Sequence, residues 1–90
     1  MIRKCTIPAD VAAASLADGT VLLHMGTKRY FSLNETGAEI WRMLEEDVPV
    51  ADIPARLSAT YEVPIEDAHV AVVELLASLA EQDLLAIEAE

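Results

Sequence analysis

The sequence predicts an α+β fold: a three-stranded antiparallel sheet followed by three helices in a winged helix-turn-helix arrangement. Three observations carry that expectation. Apolar residues alternate with period two before Asn34, they recur at spacings of three and four after it, and Asn34 stands where the pattern changes. Ninety residues suffice for one domain with a modest core. Residues 1–90 are therefore read as a single domain, with residues 1–10 as a flexible arm.

In chain order, the arm comes first, and its Pro8 discourages a central strand. Val11–Leu16 is a short apolar strand, ended by the turn signal Asp18-Gly19. Thr20–Met25 follows, with Val21, Leu23 and Met25 on one face, Leu22 on the other, and His24 expected on the outside of the sheet. Gly26-Thr27 makes a tight connection, and Lys28–Leu33 returns as the third strand of a meander. Asn34 then offers its side-chain oxygen to the free N–H groups of a first helical turn, and Glu35 suits the positive end of the helix dipole. The first helix runs from about Glu35 to Glu45, with Gly37, Ile40, Trp41 and Leu44 as its apolar stripe. Asp47-Val48-Pro49 breaks it. The second helix has Val50, Ile53, Leu57 and Tyr61 at helical spacing and is started near Ala51, because Pro54 is comfortable only in a first turn. The third runs from about Glu66 to Glu81 on a core stripe of Ala68, Val72, Leu75 and Leu79, and Leu84–Ile87 closes the chain as an extended tail.

Composition narrows the function. At 53% hydrophobic and 24% charged residues, the chain is too apolar to be disordered. Cys5 is the only cysteine, so no internal disulfide forms and a reducing compartment is favoured. No long apolar run follows the basic residues near the N-terminus, and no stretch approaches the ~20 apolar residues that span a bilayer. The expected location is the cytoplasm. A net charge of −10 repels nucleic acid and anionic membranes alike, so neither is an expected partner. The third helix contains no lysine or arginine to meet phosphates, which argues against a DNA-reading winged helix.

The supply of reactive groups is thin. His24, His69 and Cys5 lack the spacing of a metal site, and no glycine-rich phosphate loop is present. Glu45-Glu46 and Glu66-Asp67 fall at helix ends, where capping and solubility explain them. Cys5 with His24 is the one nucleophile pair available, and an N-terminal arm is a poor platform for its geometry. No catalytic residue, metal or cofactor is predicted, and the chain is expected not to be an enzyme. What remains is binding. If the meander follows sequence order, Lys28–Leu33 is an edge strand. Its two basic residues either protect that edge or flank a place where a peptide adds a strand.

The run VLLHMGTKRYFSLNETGAEIWRML resembles the PqqD-like family, also called RiPP recognition elements. The shared pattern is a hydrophobic strand, a glycine turn, an aromatic strand, Leu33-Asn34, Thr36-Gly37 and Ile40-Trp41. It continues through Val50, Ile53, Leu57, Tyr61 and Val63 to Val72, Leu75-Leu76, Leu79 and Leu84-Leu85. Two positions depart from it: Ala71 stands where an aspartate is common, and Asp83 where a glycine is common. The resemblance implies a non-catalytic protein that binds the leader of a precursor peptide by strand addition and presents it to a modifying or cleaving enzyme. The strand is then Lys28, Arg29, Tyr30, Phe31, Ser32 and Leu33. On the third helix, Val73, Leu76, Ala77 and Ala80 flank the expected stripe and either line the groove or pack into the core. The wording YFSLNETGAEIW is closer to the stand-alone proteins of lasso-peptide clusters, which work with a separate leader protease. A peptide chaperone for a radical-SAM enzyme, in pyrroloquinoline quinone or another peptide-modifying pathway, is the alternative.

Overall fold

The computed structural model describes residues 2–89. In chain order the elements are β1 (Ile2–Thr6), β2 (Val11–Leu16), β3 (Gly19–His24), β4 (Arg29–Leu33), α1 (Glu35–Glu45), α2 (Ile53–Tyr61), α3 (Ile65–Glu81) and β5 (Ala86–Ala89). The predicted three-stranded antiparallel sheet is present in the order β2-β3-β4, and the three helices follow it. Leu22 and Leu33 from the sheet meet Ile40, Trp41, Ile53, Leu57, Leu76 and Leu79 from the helices in one core.

The first ten residues do not form the expected arm throughout. Ile2–Thr6 is a strand that pairs antiparallel with β5, in a separate two-stranded sheet. Leu84 and Leu85 are buried and anchor the tail that presents β5. Backbone pairing between the two ends of a chain leaves no local pattern in either. Pro8 lies beyond the end of β1 and removes no donor from its ladder.

The sheet also faces the opposite way from expectation. Thr20 and Leu22 are buried, whereas Leu23 and Met25 are exposed, so the Leu22 face meets the helices. His24 belongs to that inner face. The register puts Ala12, Leu23 and Tyr30 in one outward row and Ala14, Val21 and Ser32 in the next. Alternation separates two faces of a strand, but both faces of β3 are apolar, so the pattern alone does not orient it.

Asn34 caps α1 as predicted: the Gly37 N–H donates to Asn34 Oδ1 at 2.8 Å, and the Ala38 N–H to the Asn34 carbonyl at 2.8 Å. A 3-10 turn over Val50–Asp52 precedes α2, so the helix begins at Ile53, later than expected, and Pro54 falls in its first turn, where its missing N–H costs little. In α3 the buried stripe is Ala68, Val72, Leu76 and Leu79. Leu76 therefore lies within the core rather than beside it, and Leu75 takes the half-buried shoulder. Adjacent leucines 100° apart on a helix fit the same stripe in sequence, and only the neighbouring elements choose between them.

Two backbone positions fix how the pieces join. Gly19 opens β3 with φ of +156°, and a Cβ there would collide with the carbonyl oxygen of Leu33 at the end of β4. Asp83 holds a left-handed φ of 58° just past α3, where the Leu84 N–H closes back onto Leu79 O at 2.9 Å. A glycine is the usual occupant of such a position. Gly19→Ala is expected to lower unfolding stability by more than about 1 kcal/mol in a denaturant titration. Asp83→Gly, by contrast, should be neutral or raise it by up to about 1 kcal/mol.

Candidate functional site

β4 is an edge. Among the described residues it pairs only with β3, and alternate N–H and C=O groups on its other side have no strand partner. Its alternation is clear: Phe31 is half-buried opposite Leu22 and Leu33 is buried opposite Thr20, while Tyr30 is 74% exposed opposite Leu23. Lys28 and Arg29 are exposed at its start, where they can hold a carboxylate only loosely through bulk water.

The turn that feeds β4 is organised by His24. The Gly26 and Thr27 N–H groups both donate to His24 Nδ1, at 3.1 and 3.2 Å. The Lys28 N–H donates to the His24 carbonyl at 2.8 Å, and Lys28 takes a left-handed φ of 63°. A Cβ on Gly26 would stand 3.0 Å from His24 Cε1, so glycine lets the ring lie flat against the turn. His24 Nδ1 is thus the shared acceptor on which the turn closes.

At its other end β4 runs through Asn34 onto α1, beside a cleft of about 330 Å³ between α1 and α3. Thr36, Gly37 and Ile40 form one wall, and Ala71, Glu74, Leu75 and Ser78 the other. A second cavity of about 410 Å³ continues from it, sharing Thr36 and Ala71 and reaching Leu57, Tyr61 and Val63. The combined trough is mostly apolar, with Glu74 and Asp67 at its margins. Ala71, one of the two departures from the family pattern, lines both cavities.

The structure thus keeps Lys28–Leu33 together as one exposed edge and divides the residues expected on the third helix. Leu76 is in the core. Val73 and Ala77 are exposed, and with Ala80 they lie around the helix on the opposite side of the buried stripe from Ala71, Leu75 and Ser78. The α3 residues that line the cleft, Ala71, Glu74, Leu75 and Ser78, each stand two positions before one picked out in the sequence.

The reactive groups are placed for other work. Cys5 is half-buried in β1, and burial pushes its thiol pKa up, the reverse of what activates a nucleophile. His24 Nδ1 is occupied by the turn, and His69 is exposed on α3. Among the described residues no three His, Cys, Asp or Glu side chains converge as a metal site, and no helix is long and apolar enough to cross a membrane.

Residues 19–85 match the family described as coenzyme PQQ synthesis protein D (PqqD). Two solved structures are similar over nearly the whole chain. One is TbiB1 in complex with the TbiA(beta) leader peptide, with 33% identity, a TM-score of 0.87, and coverage of 94% of this chain and 99% of that one. The other is lasso peptide synthetase B1 complexed with its leader peptide, with 29% identity, a TM-score of 0.85, and coverage of 92% and 98%. No curated protein sequence matches the chain.

The turn geometry makes a specific prediction. His24→Ala removes the acceptor shared by Gly26 and Thr27 and should lower amide protection at both, and at the start of β4, by roughly threefold to tenfold, the worth of one net hydrogen bond. His24→Asn keeps a short-range acceptor and should retain most of that protection.

Proposed function

The chain belongs to the PqqD family, and from that premise we propose that it is a leader-peptide-binding protein, a RiPP recognition element without catalysis of its own. The observation that carries this reading is the free edge of β4 running directly into the α1–α3 trough, in a chain that matches leader-bound proteins along almost its full length. An extended leader would pair antiparallel beside Arg29–Leu33, gaining main-chain hydrogen bonds of generic affinity. Side chains from the leader would enter the trough against Ile40, Ala71 and Leu75 and supply selectivity. Lys28 and Arg29 would meet leader carboxylates at the rim, each contact contributing only about 0–1 kcal/mol.

The partner enzyme in this reading is a separate leader protease of a lasso-peptide pathway, since both similar structures are named as lasso or leader-bound proteins of nearly the same length. The location would be the cytoplasm, where a lone cysteine stays reduced. A second reading, a chaperone for a radical-SAM enzyme of pyrroloquinoline quinone or another peptide-modifying pathway, is supported by the family description itself. The two differ in which purified enzyme acts faster on the precursor when this chain is present.

Binding of the precursor's leader should protect amides along Arg29–Leu33 and shift the resonances of Thr36, Gly37, Ala71 and Leu75 in an NMR titration. Leu75→Asp places an unpaired charge in the trough and should weaken binding roughly tenfold or more. Val73→Asp, on the other flank of α3, should change it less than about twofold. Equal losses in both variants, or protection along β2 instead of β4, would exclude this path for the leader.

A further inference from the structure

A cavity of about 340 Å³ opens on the side of α1 away from the trough. Asp18 and Thr20 line it from the β2–β3 hairpin, Glu35, Trp41 and Glu45 from α1, and Tyr61 from α2. Its charge is unbalanced. Among the described residues Asp18, Glu35 and Glu45 make no ion pair. Arg42 is the one base on the lining, and it is committed to Glu39 and, at 2.8 Å, to Glu46. The Tyr61 hydroxyl registers the nearest carboxylates: burial raises its pKa, and Glu35 and Glu39 raise it further against a smaller opposing effect of Arg42.

A second feature is independent of that charge. Trp41 lines the same cavity at 2% exposure, and its indole N–H is buried with no acceptor among the described residues. Buried donors are nearly always paired, so one left open marks a place for an acceptor. The two features together select a ligand. A bare cation would suit the carboxylates and offer the indole nothing. An anion would suit the indole and be repelled by the carboxylates. A lysine or arginine residue within a peptide brings both a cationic side chain and a main-chain carbonyl.

Continuity indicates which peptide. Tyr61 lines both this cavity and the inner end of the trough, so a chain that follows the trough from β4 arrives here. A strand antiparallel to β4 has its N-terminal end beside Leu33, so the arriving part lies upstream of the paired segment. We propose that the leader carries a lysine or arginine upstream of its β4-paired segment, held in this cavity with its side chain against Glu35 and Glu45 and its carbonyl on the Trp41 indole N–H. The inference rests on the leader-binding reading and deepens it. The leader is read for a basic residue at one end and, beside the exposed Lys28 and Arg29, for acidic ones at the other.

Trp41 is the single tryptophan, so its indole N–H gives one resonance in the full chain. N-acetyl-arginine amide should shift that resonance saturably at millimolar concentration, and N-acetyl-glutamine amide should bind at least about fivefold more weakly. Glu35→Gln combined with Glu45→Gln should weaken the arginine probe by about the same factor. Glu66→Gln combined with Glu81→Gln, exposed on α3 and outside the cavity, is the charge-matched control and should leave it unchanged. The remaining comparison leaves the protein itself unaltered. In a synthetic peptide of the precursor's leader, glutamine replaces the lysines and arginines upstream of the paired segment. Binding should weaken at least about fivefold, and the indole shift should vanish. Equal responses to the two amides, or none to either, overturn the proposal. So does a leader that protects β4 while leaving the indole unshifted or tolerating the glutamines, and the leader-binding reading then stands without it. If no leader protects β4, the leader-binding reading fails and takes the proposal with it.

Discussion

The direct passage from β4 to α1 at Asn34 is the constraint on which the rest of the molecule depends. Asn34 Oδ1 accepts the Gly37 N–H, and its carbonyl starts the helical ladder, so strand and helix join with no intervening loop. Gly19 lets the start of β3 press against the Leu33 carbonyl on the other side of the same corner. With the corner fixed from both sides, α1 crosses beneath the sheet and buries Ile40, Trp41 and Leu44 against Leu22 and Leu33. Replacing an Asn cap typically costs about 1 kcal/mol, which matters in a domain whose net stability is only several-fold larger.

The same corner makes an edge strand useful. An exposed edge is ordinarily a hazard, and charges at its start, such as Lys28 and Arg29, blunt it. Here the edge ends at the mouth of an apolar trough. Ordering a disordered leader costs on the order of 2–5 kcal/mol, which edge hydrogen bonds alone do not comfortably exceed. Two or three side chains buried in the trough, each contributing about 1.5–3 kcal/mol, offset that cost. On the proposed leader-binding reading, the trough would let a strand-addition site on this fold discriminate between peptides.

Much of the fold was legible in the sequence. The change of hydrophobic period at Asn34, the glycine turn at Gly26 and the proline-marked breaks near Pro49 and Pro64 located the three meander strands and the three helices to within a few residues. The β4 edge was legible for the same reason: a meander places its last strand at a border. The β1–β5 ladder was not, because its partners lie at opposite ends of the chain and contribute backbone groups rather than a pattern of side chains. Asp83 looked like a departure from a family motif. Its left-handed φ shows that the motif asks for a backbone conformation, which aspartate adopts at some cost.

By itself, then, the sequence determined the order of the three meander strands and three helices, the cap that joins sheet to helix, the edge strand and the strongly acidic total charge. These follow from short-range periodicity, capping chemistry and total charge. The tertiary structure decided which of two apolar faces of β3 is the inside, and which of the adjacent leucines 75 and 76 enters the core. Both are choices of rotation about an element's own axis. Period two and period 3.6 specify that axis and its stripes, but only the packing of neighbouring elements sets the angle. The outward apolar sheet face and the line of the trough along Ala71 and Leu75 both follow from that angle.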